Sequence, residues 1–284
     1  TCPVVGEINA VSFWEAETYF GRRYGRRERE RQKSFYARCD RLACVTEEVQ
    51  AQLVALGVPE GKSVVVPNGV DVDLFHPHVA RTSGVLDSLG GADRPEAGSS
   101  KTTMRGKRPR PVVGYCASVT PLHDLPAVVA ALQGLAEDLG GELACLFVGP
   151  RREDLLEAGA DHDLLQMSVA TGKVPHAQVP GLMAWMDVGC VALRGIHQSP
   201  LKVMEFMAMG IPVVVAADGS GLHPLKQAGA GIVVRAGDVE GLRASLRALL
   251  ADPVARTRMA EAGPAWVTAQ GTWKVTAARM LGTE

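Results

Sequence analysis

Short continuous apolar runs alternate with stretches of helical periodicity over most of the chain. Residues 4–5, 42–45 and 63–66 read as short buried strands. Between the first two lies a charged segment, 15–38, with helical character. Residues 46–56, TEEVQAQLVAL, read as a helix opened by Thr46, with Glu48 early in its first turn and Gly57 as stop. PNGVD follows the third strand as a Pro/Asn/Gly turn. From residue 111 the alternation becomes regular. Strands are expected at 112–118, 143–148, 188–193, 212–216 and 231–235, and helices at 124–139, 151–158, 176–186, 200–209, 221–228, 238–250 and 253–262. Val/Ile/Leu runs separated by helices imply a parallel sheet covered on both faces. Ligands of such doubly wound sheets bind at the C-terminal ends of the strands.

One stretch breaks the pattern. Residues 80–110 are rich in Gly, Ser, Pro and charge with little periodicity, and read as an exposed linker or insertion. It separates an N-terminal unit, 1–79, from a C-terminal unit, 111–266, with a last helix over 267–284 that packs back on the first unit. A length of 284 residues suits two such units.

Composition narrows the function. Hydrophobic residues are 46% and charged residues 21%, so the chain as a whole is not disordered. Lys+Arg 30 against Asp+Glu 31 gives a net charge of −1, which speaks against a protein held to nucleic acid by global charge. No apolar run reaches the roughly eighteen residues that span a bilayer. The start, TCPVVGEINA, has no signal-peptide pattern and no Met. The 6 cysteines are scattered through apolar runs without C-x-x-C or zinc spacing, as buried reduced thiols of a cytoplasmic protein. A phosphate-binding P-loop, a G-x-S-x-G elbow and a helix-opening G-x-G-x-x-G are absent.

The most informative segment is SPLKVMEFMAMGIPVVV, residues 199–215. Ser199 fits an N-cap, Pro200 the first helical position, and Gly210 the stop before a buried strand. The free amides of residues 199–201 then form an anion site. Lys202 in the first turn opposes the helix dipole unless an anion binds there. Glu205 lies one turn on, on the same side, where it can accept both hydroxyls of a ribose. The bland alternative is a solvated Lys/Glu pair. GYCASVTPLHDL, 114–125, is a strand and a loop bearing Ser118 and His123. Glu7 and Asn9 follow the first strand. Residues 21–41 hold nine basic and three acidic side chains, net +6, either as a solvated helix face or as a patch for anionic lipid, Arg22 to Arg31 being its densest part.

In order, VVGEINA, CDRLACVTEEVQAQL, SVVVPNGVDVDLFHP, VVGYCASVTPLHDL, LFVGP, VATGKVPHAQVPGLMAWMDVGCVAL, SPLKVMEFMAMGIPVVVA and GAGIVVRAGDVEGL resemble family 4 glycosyltransferases of the GT-B fold. The resemblance covers nearly the whole chain. It implies an α/β protein of two Rossmann-like, doubly wound parallel-sheet domains facing a cleft. It further implies a retaining transfer of a sugar from a nucleotide-sugar donor to a glycan or lipid-linked acceptor, with no cofactor and no metal. Glu205 matches the donor-ribose glutamate. Ser199, Pro200 and Leu201 match the helix start that receives the diphosphate. Gly172 matches a glycine near the base, and Glu7 and Asn9 match residues lining the cleft near the reacting sugar.

The sequence also departs from the family. Of two glutamates usually eight positions apart, the first is His197 here, which with Glu7 and Asn9 is a catalytic candidate that the resemblance implies. The Arg and Lys that usually neutralise the diphosphate fall at Ser118 and His123, so Lys202, Ser118 and His123 are expected to share it. The glycine of that loop is Ala117. The family's glycine-rich first loop would precede Thr1, so the N-terminal domain is expected to be truncated, with exposed apolar surface. The departures keep two other readings open: a catalytically weakened paralogue that binds nucleotide sugar or a partner protein, and a nucleotide-sugar epimerase.

Overall fold

A computed structural model describes residues 4–83, 110–195 and 199–283. His197 and most of the 80–110 stretch therefore lie outside the described residues. The first unit is a three-stranded parallel sheet, β1 (Val5–Ile8), β2 (Arg41–Cys44) and β3 (Ser63–Val65), in that order. The charged 15–38 segment is two helices, α1 (Ser12–Phe20) and α2 (Arg26–Arg38), because Gly21 takes a left-handed φ of 62° that ends the first. α3 (Glu47–Ala55) is capped as its sequence implies: the Thr46 hydroxyl accepts from the Val49 N–H. Ile8, Val11, Tyr36, Leu42, Cys44, Val49 and Leu53 form this unit's core, while Phe20 and Phe35 stay exposed.

The second unit is a six-stranded parallel sheet, β4 (Val112–Cys116), β5 (Ala144–Val148), β6 (Ser168–Ala170), β7 (Val188–Ala192), β8 (Val213–Ala216) and β9 (Gly231–Val234), in the order β6-β5-β4-β7-β8-β9. Alternation along each strand divides the core in two. Cys116, Leu146, Val148, Val191 and Val215 face α7 (Val179–Met183) and α8 (Leu201–Ala208). Val113, Tyr115, Phe147, Cys190 and Val214 face α4 (Leu125–Asp138) and α10 (Val239–Ala251). Each buried Leu or Phe contributes about 1.5–3 kcal/mol relative to exposure, so two continuous apolar faces fix the register of the strands. Cys39, Cys44, Cys116, Cys145 and Cys190 are buried free thiols.

Several boundaries differ from the sequence reading. α5 (Arg152–Glu157) is followed by a short helix, α6 (His162–Gln166), and β6, which are too brief to show periodicity. The helix over 176–186 is a single tight turn, His176–Gln178, leading into α7. After α9 (His223–Ala228), the helix expected to stop at 262 runs on as α11 (Pro253–Gln270), through Pro264. Gly263 lets it press on α8: an added Cβ there would lie 2.6 Å from the Met207 carbonyl oxygen.

The connecting segments are docked. Val70 and Phe75, placed by sequence with the N-terminal unit, belong to the C-terminal core. The start of the expected exposed linker is anchored as well. The Thr82 N–H donates to the Gly181 carbonyl (3.0 Å), the Trp185 indole donates to the Thr82 carbonyl (2.9 Å), and the Arg81 guanidinium stacks 4.7 Å over the Trp185 ring. At the chain's end, α12 (Trp273–Leu281) returns toward the first unit. Thr272 bridges Val70, and the Thr276 hydroxyl donates to the Pro67 carbonyl (3.3 Å).

Candidate active site

The strand order reverses between β4 and β7: the chain moves outward through β5 and β6, then returns to start again at β7. Loops leaving two adjacent strands in opposite directions open a crevice at their C-terminal ends. Here the two loops are laced together. His123 bridges Leu193, the Asp124 N–H donates to the Ala192 carbonyl (3.0 Å), the Arg194 N–H donates to the Leu122 carbonyl (2.9 Å), and the Arg194 guanidinium pairs with Asp124 (2.8 Å). Gly149, after β5, closes the floor on this side. Its φ of 115° and the 2.1 Å that would separate an added Cβ from the Ala117 carbonyl oxygen both demand glycine.

α8 begins over this crevice. Its N-cap is Pro200, which has no N–H and makes no side-chain cap, so the amides of the first turn left unpaired among the described residues are those of Leu201 and Lys202. This corrects the sequence reading by one residue. Ser199 does not cap because it is already engaged. Its hydroxyl accepts from the Asn68 N–H and its carbonyl accepts from the Asn68 side-chain amide, both at 3.1 Å. The PNGV turn after β3 thus grips the start of α8.

Glu205 is 5% exposed, so the solvated-pair alternative fails. Its Oε2 lies 2.6 Å from Lys202 Nζ and its Oε1 lies 3.4 Å from His176 Nε2. The His176 ring packs on Phe75 at 5.3 Å. Removing one partner of a buried ion pair costs about 3–5 kcal/mol, because the remaining charge is uncompensated. Lys202 also faces the β4 loop. Burial and then the Lys202 charge hold His123 below its ordinary value, so its ring is neutral near pH 7. The His123 Nδ1 is 2.9 Å from the Thr120 hydroxyl. Cys116 beneath is pushed up to about 12 by burial.

The structure therefore brings Lys202, Glu205 and His123 together, with Ser199 beside them and Ser118 exposed on the same loop as His123. Gly172, at φ 66°, sits past β6 at the same sheet edge, its carbonyl accepting from the Gly149 N–H (3.1 Å). Glu7 and Asn9 lie at the C-terminal end of β1, exposed and bonded to each other (3.1 Å); among the described residues neither bonds to α8. Sequence reasoning missed three participants: His176, Asn68 and Arg194. Each follows the C-terminal end of a strand, which was the available signal.

The two sheets present those ends to each other. Asn68 after β3 meets Ser199 after β7, and Glu48 after β2 meets Ser220 after β8. Two parallel sheets that meet at their C-terminal ends, with an anion-ready helix start and a buried carboxylate one turn on, suit a phosphorylated, hydroxyl-bearing ligand.

Comparisons with known proteins agree on the architecture. Residues 110–252 match the family described as glycosyl transferases group 1, and residues 2–74 match glycosyltransferase family 4. The chain is 27% identical over 222 residues to a GDP-mannose-dependent alpha-(1-6)-phosphatidylinositol monomannoside mannosyltransferase of Mycolicibacterium smegmatis, covering 76% of this chain and 54% of that protein. It is 25% identical over 230 residues to 2-deoxystreptamine glucosyltransferase of Streptomyces kanamyceticus, covering 80% and 55%. The chain thus spans about half the length of these curated relatives. Among solved structures, sucrose-phosphate synthase from Thermosynechococcus elongatus superposes with a TM-score of 0.72 at 18% identity, over 98% of this chain and 66% of that one. HepE of Anabaena in complex with UDP-glucose gives 0.72 at 16%, over 99% and 71%.

Proposed function

The chain belongs to the glycosyl transferases group 1 and has the GT-B fold, and on that premise we propose that it serves the transfer of a sugar from a nucleotide-sugar donor to a glycan or lipid-linked acceptor. The observation that carries this reading is the buried Glu205 one turn into α8, paired with Lys202 at the strand switch point. In this reading Glu205 accepts the ribose hydroxyls. The amides of Leu201 and Lys202, the Lys202 ammonium, Ser118 and His123 receive the diphosphate, and Gly172 leaves room near the base.

The bond between the sugar's anomeric carbon and the phosphate oxygen breaks as charge builds on the leaving diphosphate. Fixed amides and an ammonium stabilise that charge without reorganising. An acceptor hydroxyl forms the new bond on the same face, and its proton passes to the departing phosphate oxygen, so configuration is retained. Glu7 and Asn9 face the reacting sugar from the β1 side.

The acceptor class draws on the mannosyltransferase relative, whose name includes a phosphatidylinositol mannoside. Among the described residues no helix is long and apolar enough to cross a membrane. Arg22, Arg23, Arg26, Arg27 and Arg31 are exposed on α2 and the turn before it, with Phe20 and Phe35 also exposed. We read this face as a peripheral contact with anionic lipid. Co-sedimentation with liposomes should rise with anionic lipid content; independence of lipid charge removes the contact.

The decisive measurement is a thermal shift of this chain and of Glu205→Ala against UDP-, GDP-, ADP- and dTDP-sugars. A ligand at a hundred times its dissociation constant adds about 2.7 kcal/mol. A shift with one base, lost in the variant, supports the donor site. Binding without any turnover in the complete protein favours a weakened paralogue, and conversion of the donor alone to its epimer favours an epimerase.

A further inference from the structure

Both oxygens of Glu205 are already taken, Oε2 by the Lys202 ammonium at 2.6 Å and Oε1 by His176 at 3.4 Å. One hydroxyl of a ribose diol can use the second lone pair of Oε1 beside His176, but the other must take the place that the Lys202 ammonium holds on Oε2. Glu205 side-chain exposure is only 7%, so its charge cannot wait in solvent for a ligand; it needs a resident donor. Lys202, at 26%, is the more exposed partner, and its four-carbon stem lets the ammonium reach a second position. That position is adjacent. Among the described residues its own backbone amide and that of Leu201 have no partner at the start of α8, and the neutral His123 ring lies on the facing loop. An anion arriving there gives the ammonium a second partner.

From this geometry we propose that Lys202 occupies the place of one ribose hydroxyl on Glu205 and is drawn off it by the diphosphate, so that the site admits a nucleoside only together with its phosphates. The idea rests on the nucleotide-sugar reading of the site and adds a selectivity device to it. A bare nucleoside must displace an ammonium from a buried carboxylate and leave that ammonium with no new partner. A nucleoside diphosphate supplies the partner in the same molecule. Lys202 thereby penalises the first ligand and rewards the second, whereas a lysine that only bound phosphate would leave the nucleoside indifferent to it. His176 stays on Oε1 throughout and keeps the carboxylate from being stripped bare during the exchange.

The test is calorimetric titration of the chain with UDP, GDP, ADP and dTDP, each against its bare nucleoside, in the wild type, Lys202→Met, Lys202→Gln and Glu205→Gln. Removing the ammonium should weaken the diphosphate roughly ten- to a hundredfold, the size of a lost charge-assisted contact, while tightening the nucleoside several-fold. Glu205→Gln should weaken both. Lys202→Gln keeps a donor to the carboxylate without the charge and carries the same comparison if the Met variant fails to fold. Diphosphate affinity that falls in either Lys202 variant while nucleoside affinity stays flat or falls too overturns the exchange and leaves the donor site standing. No binding of UDP, GDP, ADP or dTDP to the wild type overturns the nucleotide reading, and the exchange with it.

Discussion

The Ser220 hydroxyl donates to Glu48 Oε2 at 2.6 Å, and the Ser220 N–H donates to Oε1 at 2.8 Å, joining residues 172 positions apart across the line between the two sheets. The Glu47 N–H in turn donates to the Ser220 hydroxyl (3.0 Å). One serine therefore fastens the start of α3 to the turn after β8. Ser220→Ala should lower stability by about 1–2 kcal/mol, a charge-assisted bond discounted for partial exposure. Small-angle scattering should show a wider spread of separations between the units. An unchanged melting temperature and scattering profile would mean that the contact carries no weight.

The same contact makes stability depend on pH. Burial pushes the Glu48 carboxyl up, but the Ser220 hydroxyl and amide, its own backbone N–H and Thr46 together hold it below its ordinary value of 4.5. A carboxyl depressed in the folded state adds stability above its unfolded value. That contribution is lost as pH falls through the folded one. Chemical denaturation between neutral pH and pH 3 should show a steeper acid loss in the wild type than in Ser220→Ala.

Tyr115 lies in β4 between two sheet neighbours, 1% exposed, and among the described residues its hydroxyl has no hydrogen-bond partner. A buried hydroxyl without a partner costs about 1–3 kcal/mol. Tyr115→Phe should therefore stabilise the chain and raise its melting temperature by a few degrees, read by calorimetry. A lower melting temperature would reveal an interaction of the hydroxyl that the geometry does not show.

His123 is neutral near pH 7 because burial and Lys202 both disfavour its charge. A diphosphate beside Lys202 offsets that charge and raises the affinity of the ring for a proton. Donor binding should then take up protons, and affinity should rise as pH falls between the free and bound values. Titrations in buffers of different ionisation enthalpy measure the uptake. His123→Asn should abolish it, and equal uptake in that variant would assign the proton elsewhere.

The sequence made the second sheet legible because its strands are buried on both faces and its helices carry a regular apolar stripe. α8 could be read for the same reason, together with the odd placement of Lys202 in a first turn. What stayed hidden was set by contacts distant along the chain. Ser199 looks like a cap until Asn68, from 131 positions away, takes its hydroxyl and its carbonyl. His176 looks like a surface residue until the fold lays it on Glu205. α6 and β6 are too short for periodicity to separate them from loop. Pro264 looks like a helix end, and only the close packing of Gly263 on α8 shows why the helix continues through it.

Val70, Phe75 and Arg81 stay with the C-terminal core although they precede residues 84–109 in the chain. The covalent order and the physical partition of the molecule therefore disagree. A protease cutting within 84–109 would produce two fragments, yet the N-terminal one would keep residues 70–82 docked on the other. The nicked protein should elute from a sizing column as one particle and separate only in denaturant. Two genes divided at that point should likewise yield halves that find each other during folding.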